Sequence, residues 1–252
     1  MIDQIELRKI AAKFGLPSAV IEKDYVITKF LFLLYQNELK NVVALKGGTA
    51  IKKVFLIDFR FSEDLDFTSL KKTNFNDYIQ EICLNSKDIH FEIKEFSKFA
   101  KSFKCRIMYN GPLNFPSSFY IDISMRENLK LNPKLSDVIH IFPDIQKFTI
   151  LTMQLEEIWA EKCRAAYMRK KSRDFFDLYQ LGINFDIKKN KEIIKELFFE
   201  KLNSLGLKYK PKPDLIERLD FKEIQFLIPK QFKINLEEIK SFLKENYDFL
   251  FS

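Results

Sequence analysis

The stretch that decides the fold is RFSEDLDF, residues 60–67, in which two aspartates stand two positions apart. Its alternation predicts a β-strand, because successive side chains of a strand point to opposite faces of the sheet. Asp64 and Asp66 then share one face, while Leu65 and Phe67 enter the core. Two neighbouring carboxylates resist joint ionisation, and a divalent cation relieves that repulsion. Mg²⁺ suits such oxygen ligands, since it binds through few carboxylates together with water and substrate phosphates. Taken alone, the pair is also typical of a solvated acidic turn.

A third carboxylate is offered by YIDIS, residues 120–124. The same alternation places Asp122 on the face opposite to Ile121 and Ile123. If this strand lies beside the first, Asp122 completes a three-carboxylate metal site. Such a site activates an attacking hydroxyl and stabilises a leaving pyrophosphate.

Two glycines interrupt the sequence shortly before these strands, in LKGGTA. The apolar run NVVAL predicts a strand that ends at Gly47 and Gly48, and TAIKKVFL begins a helix at once. A strand, a glycine turn and a helix start let backbone N–H groups approach phosphates. We therefore expect Lys46, Gly47, Gly48 and Thr49 to bind a nucleotide. A tight turn explains two glycines equally well, and only the carboxylate pair on the next strand favours the phosphate interpretation.

Arg60 and Ser62 fall on the strand face of Asp64 if that strand begins early enough. A guanidinium and a hydroxyl beside the carboxylates would bind phosphate oxygens or orient the carboxylates. The alternative is that Arg60 forms a structural ion pair with an acidic neighbour.

Residues 149–170, TILTMQLEEIWAEKCRAAYMRK, predict a long amphipathic helix. One stripe of this helix runs in steps of four and three: Leu151, Leu155, Ile158, Lys162, Ala165 and Arg169. Lys162 stands where an apolar residue is expected, so it either reaches solvent or points into a cleft, where it would bind phosphates. Asp174 and Asp177 follow three positions apart and are neighbours on a helix.

The chain divides near residue 145 into an α/β part, residues 1–145, and a helical part, residues 146–252. The segment from about Asn128 to Lys147 holds two prolines and predicts a connection. DLIERLDFKEIQFLI and LEEIKSFLKENYDFLF predict two further helices, and Gly206 predicts a helix end.

Composition narrows the class of protein. The net charge of +7 favours polyanionic partners such as nucleic acid, although a solvated lysine-rich surface is the alternative. The three cysteines are scattered, which disfavours a disulfide framework or a zinc site and fits a reducing cytoplasm. No apolar run reaches the roughly 18 residues of a membrane span. The start MIDQIELRK has no apolar signal core. We expect a cytoplasmic protein without a membrane partner.

Five motifs, in this order, resemble the AbiEii/AbiGii toxin family of nucleotidyltransferases (DUF1814), within the DNA polymerase β-like superfamily. They are IEKDY (21–25), LKGGTAIKK (45–53), RFSEDLDF (60–67), YIDIS (120–124) and EKCRAAYMRKKSRDFFDLY (161–179). The second, third and fifth motifs are specific when they occur in this order. The gap from Gly48 to Asp64 is longer than is usual in the superfamily but suits this family.

The resemblance implies an α+β fold, with an N-terminal nucleotidyltransferase domain, a mixed sheet flanked by helices, followed by a C-terminal helical bundle. It implies Asp64 and Asp66 as Mg²⁺ ligands and Asp122 as a third ligand or a base. It implies Lys162 as a contact of the triphosphate and Asp174 as the acidic residue of the last motif. Gly47 and Gly48 become the phosphate-facing turn.

The resemblance also implies partners: a nucleoside triphosphate, an RNA acceptor such as the tRNA 3′ end, and a cognate antitoxin within a toxin–antitoxin or phage-defence system. Two alternatives stay open at this point. In the first alternative, the acceptor is a protein side chain or a small molecule. In the second, the chain is a non-catalytic module that binds nucleic acid. The family motifs end near residue 181, so the remaining helices carry no functional prediction.

Overall fold

The computed structural model describes residues 1–126, 129–217 and 219–251, which fold into two compact units. The first unit consists of Met1–Asn128, Asn132–Met153 and Leu227–Lys230. The second consists of Leu129–Leu131, Gln154–Phe226 and Gln231–Ser252. The chain thus passes from the first unit to the second after Met153, where the sequence predicts a boundary at residue 145, and returns briefly at Leu227.

The first unit contains four helices in its described residues: α1 (Gln4–Phe14), α2 (Ser18–Gln36), α3 (Gly47–Ala50) and α4 (Phe75–Leu84). The side chain of Asp3 caps α1 by accepting from the Glu6 amide, and α2 begins directly after Pro17, as the sequence predicts. A 3₁₀ turn, Glu38–Asn41, leads into the sheet. A π-helical turn, Ile51–Phe55, continues α3.

The first unit is built on a seven-stranded mixed sheet in the order β3-β4-β5-β2-β1-β7-β6. Its strands are β1 (Val43–Lys46), β2 (Leu65–Ser69), β3 (His90–Phe99), β4 (Ser102–Asn110), β5 (Pro116–Ser124), β6 (Lys134–Asp137) and β7 (Thr149–Thr152). β2 pairs antiparallel with β1 and parallel with β5. Phe30 of α2 packs edge-on against Phe91 and Phe119, which covers one face of the sheet with an apolar helix.

Two predictions for the region before the long helix are wrong. The expected connection contains β6, and its first residue, Asn128, lies outside the described residues. Residues 149–152 form β7 instead of the start of a helix, because the Met153 amide bonds to the Leu45 carbonyl and Thr152 pairs with Leu45 of β1. The β-branched run TILT fits a strand with alternate residues buried.

The second unit is helical in its described residues, as the sequence predicts. It contains α5 (Leu155–Arg169), α6 (Ser172–Asn184), α7 (Ile187–Asn203) and α8 (Leu236–Asn246). α5 packs on α6 and α7, and α6 packs on α8. After α7 the Leu207 amide bonds to the Leu202 carbonyl, with Gly206 at φ +69°, so the helix ends as expected.

The helix predicted for DLIERLDFKEIQFLI is wrong in its described residues, which form a turn and a short 3₁₀ helix, Lys222–Leu227. Arg218 of that stretch lies outside the described residues. Asp220 explains the difference: its side chain accepts the Lys222 amide, and its own amide donates to the Ser172 hydroxyl. Local bonds of this kind compete with helix formation. Within the described ranges, no helix has the length and apolarity to cross a membrane.

Candidate active site

The predicted aspartates lie at the centre of the sheet of the first unit. The strand register pairs Lys46 of β1 with Asp66 of β2, and Asp66 with Asp122 of β5. These three residues therefore form one row across adjacent strands. Leu65 and Phe67 are fully buried on the opposite face, whereas Asp66 and Asp122 are half-buried. The structure confirms the predicted alternation and the pairing of the two acidic strands.

Asp64 lies just before β2 and is held by two neighbouring segments. Its Oδ1 accepts a hydrogen bond from the Tyr120 amide of β5 at 3.0 Å. Its backbone carbonyl accepts from the hydroxyl of Thr49, which is buried in α3, at 2.5 Å. These bonds fix the chain immediately before Asp66. The Thr49 hydroxyl is thereby engaged with the carboxylate loop, so only the backbone N–H of Thr49 suits the predicted contact with phosphate.

The glycine turn lies directly beside the carboxylates. Gly47 adopts φ +72°, a left-handed conformation that favours glycine, and a Cβ there would lie 2.5 Å from Asp66 Oδ2. A Cβ on Gly48 would lie 3.1 Å from Ser62 Oγ and 3.2 Å from Arg60 Nη2. The missing side chains thus let the α3 backbone lie close to the polar groups of residues 60–66. The structure brings together the predicted glycines, Arg60, Ser62 and the aspartates.

Arg60 and Ser62 lie beside the glycine turn, but not as part of the strand that the sequence predicts. β2 begins only at Leu65, so neither residue belongs to the strand. The Phe61 amide bonds to the Leu227 carbonyl, and Arg60, which is buried, donates from Nη1 to the Phe61 carbonyl. The prediction that both residues share a strand face with Asp64 is wrong, although both lie against Gly48.

Asp122 has a partner that the sequence did not suggest. Lys104 of β4 is its register neighbour, and Lys104 Nζ lies 2.8 Å from Asp122 Oδ2. Among the described residues, no group of three or more His, Cys, Asp and Glu side chains is arranged to hold a metal ion. The three-carboxylate site therefore stays a prediction. The alternation in FKCRIMYN would have placed Lys104 on this face.

The donor chemistry beside the glycine turn nevertheless fits Mg²⁺. Asp64 and Asp66 offer hard oxygen ligands, and the lack of a side chain on Gly47 lets the Asp66 carboxylate lie against the turn. Mg²⁺ needs only one or two carboxylates when substrate phosphates and water complete its coordination. The pair is thus sufficient for an ion that arrives with a triphosphate.

The remaining predicted residues form a charged cluster in the second unit. Lys162 of α5 is buried, and its Nζ lies 2.6 Å from Asp177 Oδ2 and 3.7 Å from Asp174 Oδ1. Arg169 Nη2 donates to Asp174 Oδ1 at 3.0 Å. Both aspartates are fully buried on α6, one turn apart, and Asp174 Oδ2 has no hydrogen-bond partner. The stripe expected to start at Leu151 starts at Leu155, since Leu151 belongs to β7.

Lys162 does not reach solvent, because it is buried and pairs with carboxylates of α6. Its predicted place in a cleft and its role toward phosphates stay predictions.

Comparison with known proteins decides the family. The sequence profile described as "Nucleotidyl transferase AbiEii toxin, Type IV TA system" matches residues 29–251. The chain belongs to this AbiEii family. It is therefore a nucleotidyltransferase toxin of a type IV toxin–antitoxin system, and the resemblance read from its motifs is confirmed. Membership implies a nucleotide substrate and an antitoxin partner.

Two solved structures share the fold of this AbiEii chain. MenT4, a nucleotidyltransferase toxin from Mycobacterium tuberculosis H37Rv, aligns with a TM-score of 0.71 at 17% identity, over 97% of this chain and 89% of its own. A putative nucleotidyltransferase from H. pylori aligns with a TM-score of 0.58 at 19% identity, over 93% of this chain and 96% of its own. No protein with a curated description matches the sequence. These likenesses confirm the predicted fold class.

Proposed function

We propose that this AbiEii protein transfers a nucleoside monophosphate from a nucleoside triphosphate to an RNA acceptor, the tRNA 3′ end, in a Mg²⁺-dependent reaction. One observation carries the proposal: Asp64 and Asp66 lie at the start of a central strand, and the Asp66 carboxylate lies directly against the glycine turn at Gly47. Family membership supplies the reaction class, and the arrangement of residues supplies the roles.

Asp64 and Asp66 would hold the metal, with Asp122 as a third ligand or as the base. The bound ion would neutralise triphosphate charge and favour departure of pyrophosphate. The backbone N–H groups of Gly47, Gly48 and Thr49 would bind the phosphates, and Lys46 would add its positive charge.

Arg60 and Ser62 reach toward the same turn through Gly48. A guanidinium binds phosphate oxygens in a bidentate manner, which a hydroxyl supplements. We assign both to the triphosphate. Lys162 is assigned to the triphosphate from the family resemblance, and Asp174 holds Lys162 and Arg169 in place.

RNA is the favoured acceptor because the net charge of +7 suits a polyanion. The tRNA acceptor end follows from the family resemblance alone. Neutralisation by a cognate antitoxin and a place in phage defence belong to the same proposal, as does a cytoplasmic location. Membership in a nucleotidyltransferase family argues against the alternative of a non-catalytic binding module. A protein or small-molecule acceptor remains an outcome of the test.

The test is transfer of label from each of the four α-³²P-labelled ribonucleoside triphosphates to total RNA in the presence of Mg²⁺. We expect one triphosphate to label RNA of tRNA size, and chelation of the metal to prevent labelling. Label on protein, or on a small molecule separated by thin-layer chromatography, would identify that molecule as the acceptor instead of RNA. No labelled product of any kind, from folded protein, would contradict the proposed reaction.

A further inference from the structure

The motif IEKDY, residues 21–25, has no role in the chemistry described above, yet its polar residues reach four separate segments of the first unit. Glu22 Oε1 accepts the Leu113 amide in the turn between β4 and β5 at 2.6 Å. Lys23 Nζ lies 3.2 Å from Glu63 Oε1, next to Asp64. These two contacts link α2 to the loops beside β5 and β2.

The other two contacts continue around the helix. Asp24 Oδ2 lies 2.7 Å from Lys53 Nζ, in the helical segment that follows the glycine turn. The Tyr25 hydroxyl donates to Asp144 Oδ2 at 2.7 Å. Consecutive residues of a helix point in different directions, so one short run holds four segments at once.

The contact between Asp24 and Lys53 differs from the others in its burial. Both side chains are at most 5% exposed, whereas Lys23 and Glu63 are 23% and 42% exposed. A buried charge without its partner is strongly unfavourable, and water cannot replace the lost bond. The position of Lys53 is therefore dictated by Asp24. An exposed pair such as Lys23 and Glu63 exerts far less constraint.

Lys53 is rigidly joined to the glycine turn. Residues 47–55 form one helical segment, α3 followed by the π-helical turn. The Ile51 amide bonds back to the carbonyls of Gly47 and Gly48, and the Leu56 amide bonds to the Ile51 carbonyl at 2.8 Å. The Lys53 carbonyl accepts the Ile139 amide at 2.6 Å. A shift of Lys53 is thus transmitted along hydrogen bonds to Gly47.

We propose that Asp24 is a positioning residue, which acts through its buried ion pair with Lys53 to hold the Gly47–Gly48 turn against Asp66 and thereby sets affinity for the nucleoside triphosphate. This inference rests on the proposed role of the turn in phosphate binding. The spacing leaves little tolerance, because a Cβ on Gly47 would already lie 2.5 Å from Asp66 Oδ2. A small displacement of the turn changes where its N–H groups point.

A purely structural ion pair would stabilise the fold without affecting the turn, and a double variant separates the two roles. Asp24→Leu combined with Lys53→Met replaces the ion pair by apolar groups of similar size, a change that buried pairs often tolerate without loss of stability. The matched control is Glu157→Gln with Lys201→Met in the second unit. That pair is as buried, with 2.8 Å between Lys201 Nζ and Glu157 Oε1. The substituted glutamine side chain keeps an acceptor for the backbone amides that Glu157 binds.

The first measurement is hydrogen exchange of the amides of residues 47–50 in the full chain without metal or nucleotide. We expect the Asp24→Leu/Lys53→Met variant to melt close to wild type yet exchange these amides about tenfold faster, with no change in the control pair. Unchanged exchange in the folded double variant would overturn the proposal.

The second measurement is the KM for ATP, GTP, CTP and UTP, each with Mg²⁺ and total RNA. We expect KM to rise about tenfold for the triphosphate that the wild type uses, with kcat within about twofold, because binding and not chemistry is disturbed. Lys53→Arg retains the charge pair and is expected to stay within about threefold of the wild-type KM. Faster exchange with an unchanged KM would overturn the role of the turn in triphosphate affinity.

Two outcomes keep this test separate from that of the proposed reaction. If wild-type protein transfers no nucleotide, the proposed function fails, while the exchange experiment still decides whether Asp24 positions the turn. If the double variant does not fold, Asp24→Asn takes its place below its melting transition, since asparagine has nearly the same size but removes the charge that pairs with Lys53. Normal exchange in that variant would also overturn the proposal.

Discussion

The carboxylates of the first unit and those of the second are held in opposite ways. Asp66 and Asp122 are half-buried on the face of a sheet, and Asp66 lies against the backbone turn at Gly47. Asp174 and Asp177 are fully buried and share Lys162 between them. Both sets belong to motifs of one family, yet only the first set has the exposure that binding of a ligand requires.

This difference indicates that the acidic residues of the motifs have two roles, ligand binding in the first unit and structural support in the second. Half-exposed carboxylates stay ionised and able to bind a cation, because water solvates them when no cation is bound. Buried carboxylates with fixed partners mainly determine where those partners lie, and their loss destabilises the fold. The first set is expected to affect catalysis most and the second to affect stability most. Four predictions test this division, from the largest expected effect to the smallest.

The largest effect is expected for Asp66→Ala, and equally for Asp64→Ala. Loss of a metal-binding carboxylate should lower the rate of nucleotide transfer at least about 100-fold, since even outer partners of a metal site cost about 10–100-fold. The melting temperature should stay close to that of the wild type, because Asp66 is half-buried and its loss removes no side chain from the core. Initial rates of label transfer and a thermal melt provide the measurement.

Asp137→Ala is the matched control for this prediction, since Asp137 is an exposed carboxylate on the edge strand of the same sheet. It should transfer at the wild-type rate. An Asp66→Ala protein that keeps more than about a tenth of the wild-type rate would remove the metal role from the first unit.

Lys162→Met should affect stability first. The substitution leaves Asp174 and Asp177 buried beside an apolar side chain, which costs roughly 3–5 kcal/mol in free energy of unfolding. For a chain of this size the melting temperature falls by roughly 10 °C. Chemical denaturation at pH 7 measures the loss.

Lys189→Met serves as the control, because Lys189 forms an exposed pair with Asp186 at 3.2 Å in the same unit. Such pairs contribute little, and no measurable change is expected. If Lys162→Met kept the wild-type stability but lost activity, Lys162 would belong with the catalytic residues and the assignment of the second set to stability would be wrong.

Lys52 offers a buried cation in the first unit for comparison with Lys162. Burial lowers the pKa of Lys52 from 10.5 to about 8, and its Nζ donates to the Ile57 carbonyl and lies over the Phe61 ring. Between pH 8 and 10.5 the unfolded chain binds more protons at this amine than the folded chain does, so stability from this residue rises with pH. Below pH 8 the folded state bears the full penalty of the buried charge.

Lys52→Met should therefore be more stable relative to wild type at pH 7 than at pH 10.5, by about 3 kcal/mol. Urea denaturation of both proteins across this pH range measures the difference. A difference in stability that does not vary with pH would mean that Lys52 keeps an ordinary pKa.

The smallest effect compares two glycines of the same backbone conformation. Gly47 and Gly206 have φ values of +72° and +69°, but only Gly47 faces a neighbour, Asp66. Gly206→Ala should cost about 1 kcal/mol for the left-handed conformation alone. Gly47→Ala should cost roughly 1–2 kcal/mol more, because its Cβ must displace the Asp66 carboxylate. Equal losses in urea denaturation would show that the turn is less closely packed on Asp66 than described.

The part of the site that sequence could predict is the part set by strand alternation. The period of two in LDF and YIDIS predicts which side chains share a face, and the register of β2 and β5 confirms this for Asp66 and Asp122. The antiparallel strand before the glycines and the helix after them followed from the same kind of local pattern. Local patterns therefore sufficed for the central strands and the glycine turn.

The parts that sequence could not predict depend on partners far along the chain. Arg60 and Ser62 lie outside β2 because the Phe61 amide finds the Leu227 carbonyl, a pairing that no local pattern indicates. The sequence predicts helix where β7 lies, because the apolar run TILT leads directly into the apolar stripe of α5. Asp24 and Lys53 stand in two separate motifs, and only the fold reveals that they are partners.

The short return of the chain at Leu227–Lys230 has a consequence for synthesis. Besides the bond between Phe61 and Leu227, the Lys230 amide bonds to the Phe14 carbonyl, so this segment completes the unit that carries the carboxylates. A ribosome must therefore translate the chain past Leu227 before the loop preceding Asp64 obtains this backbone partner. We expect chains that stop before Leu227 to lack a finished catalytic unit, which delays the toxic activity until this segment has been made.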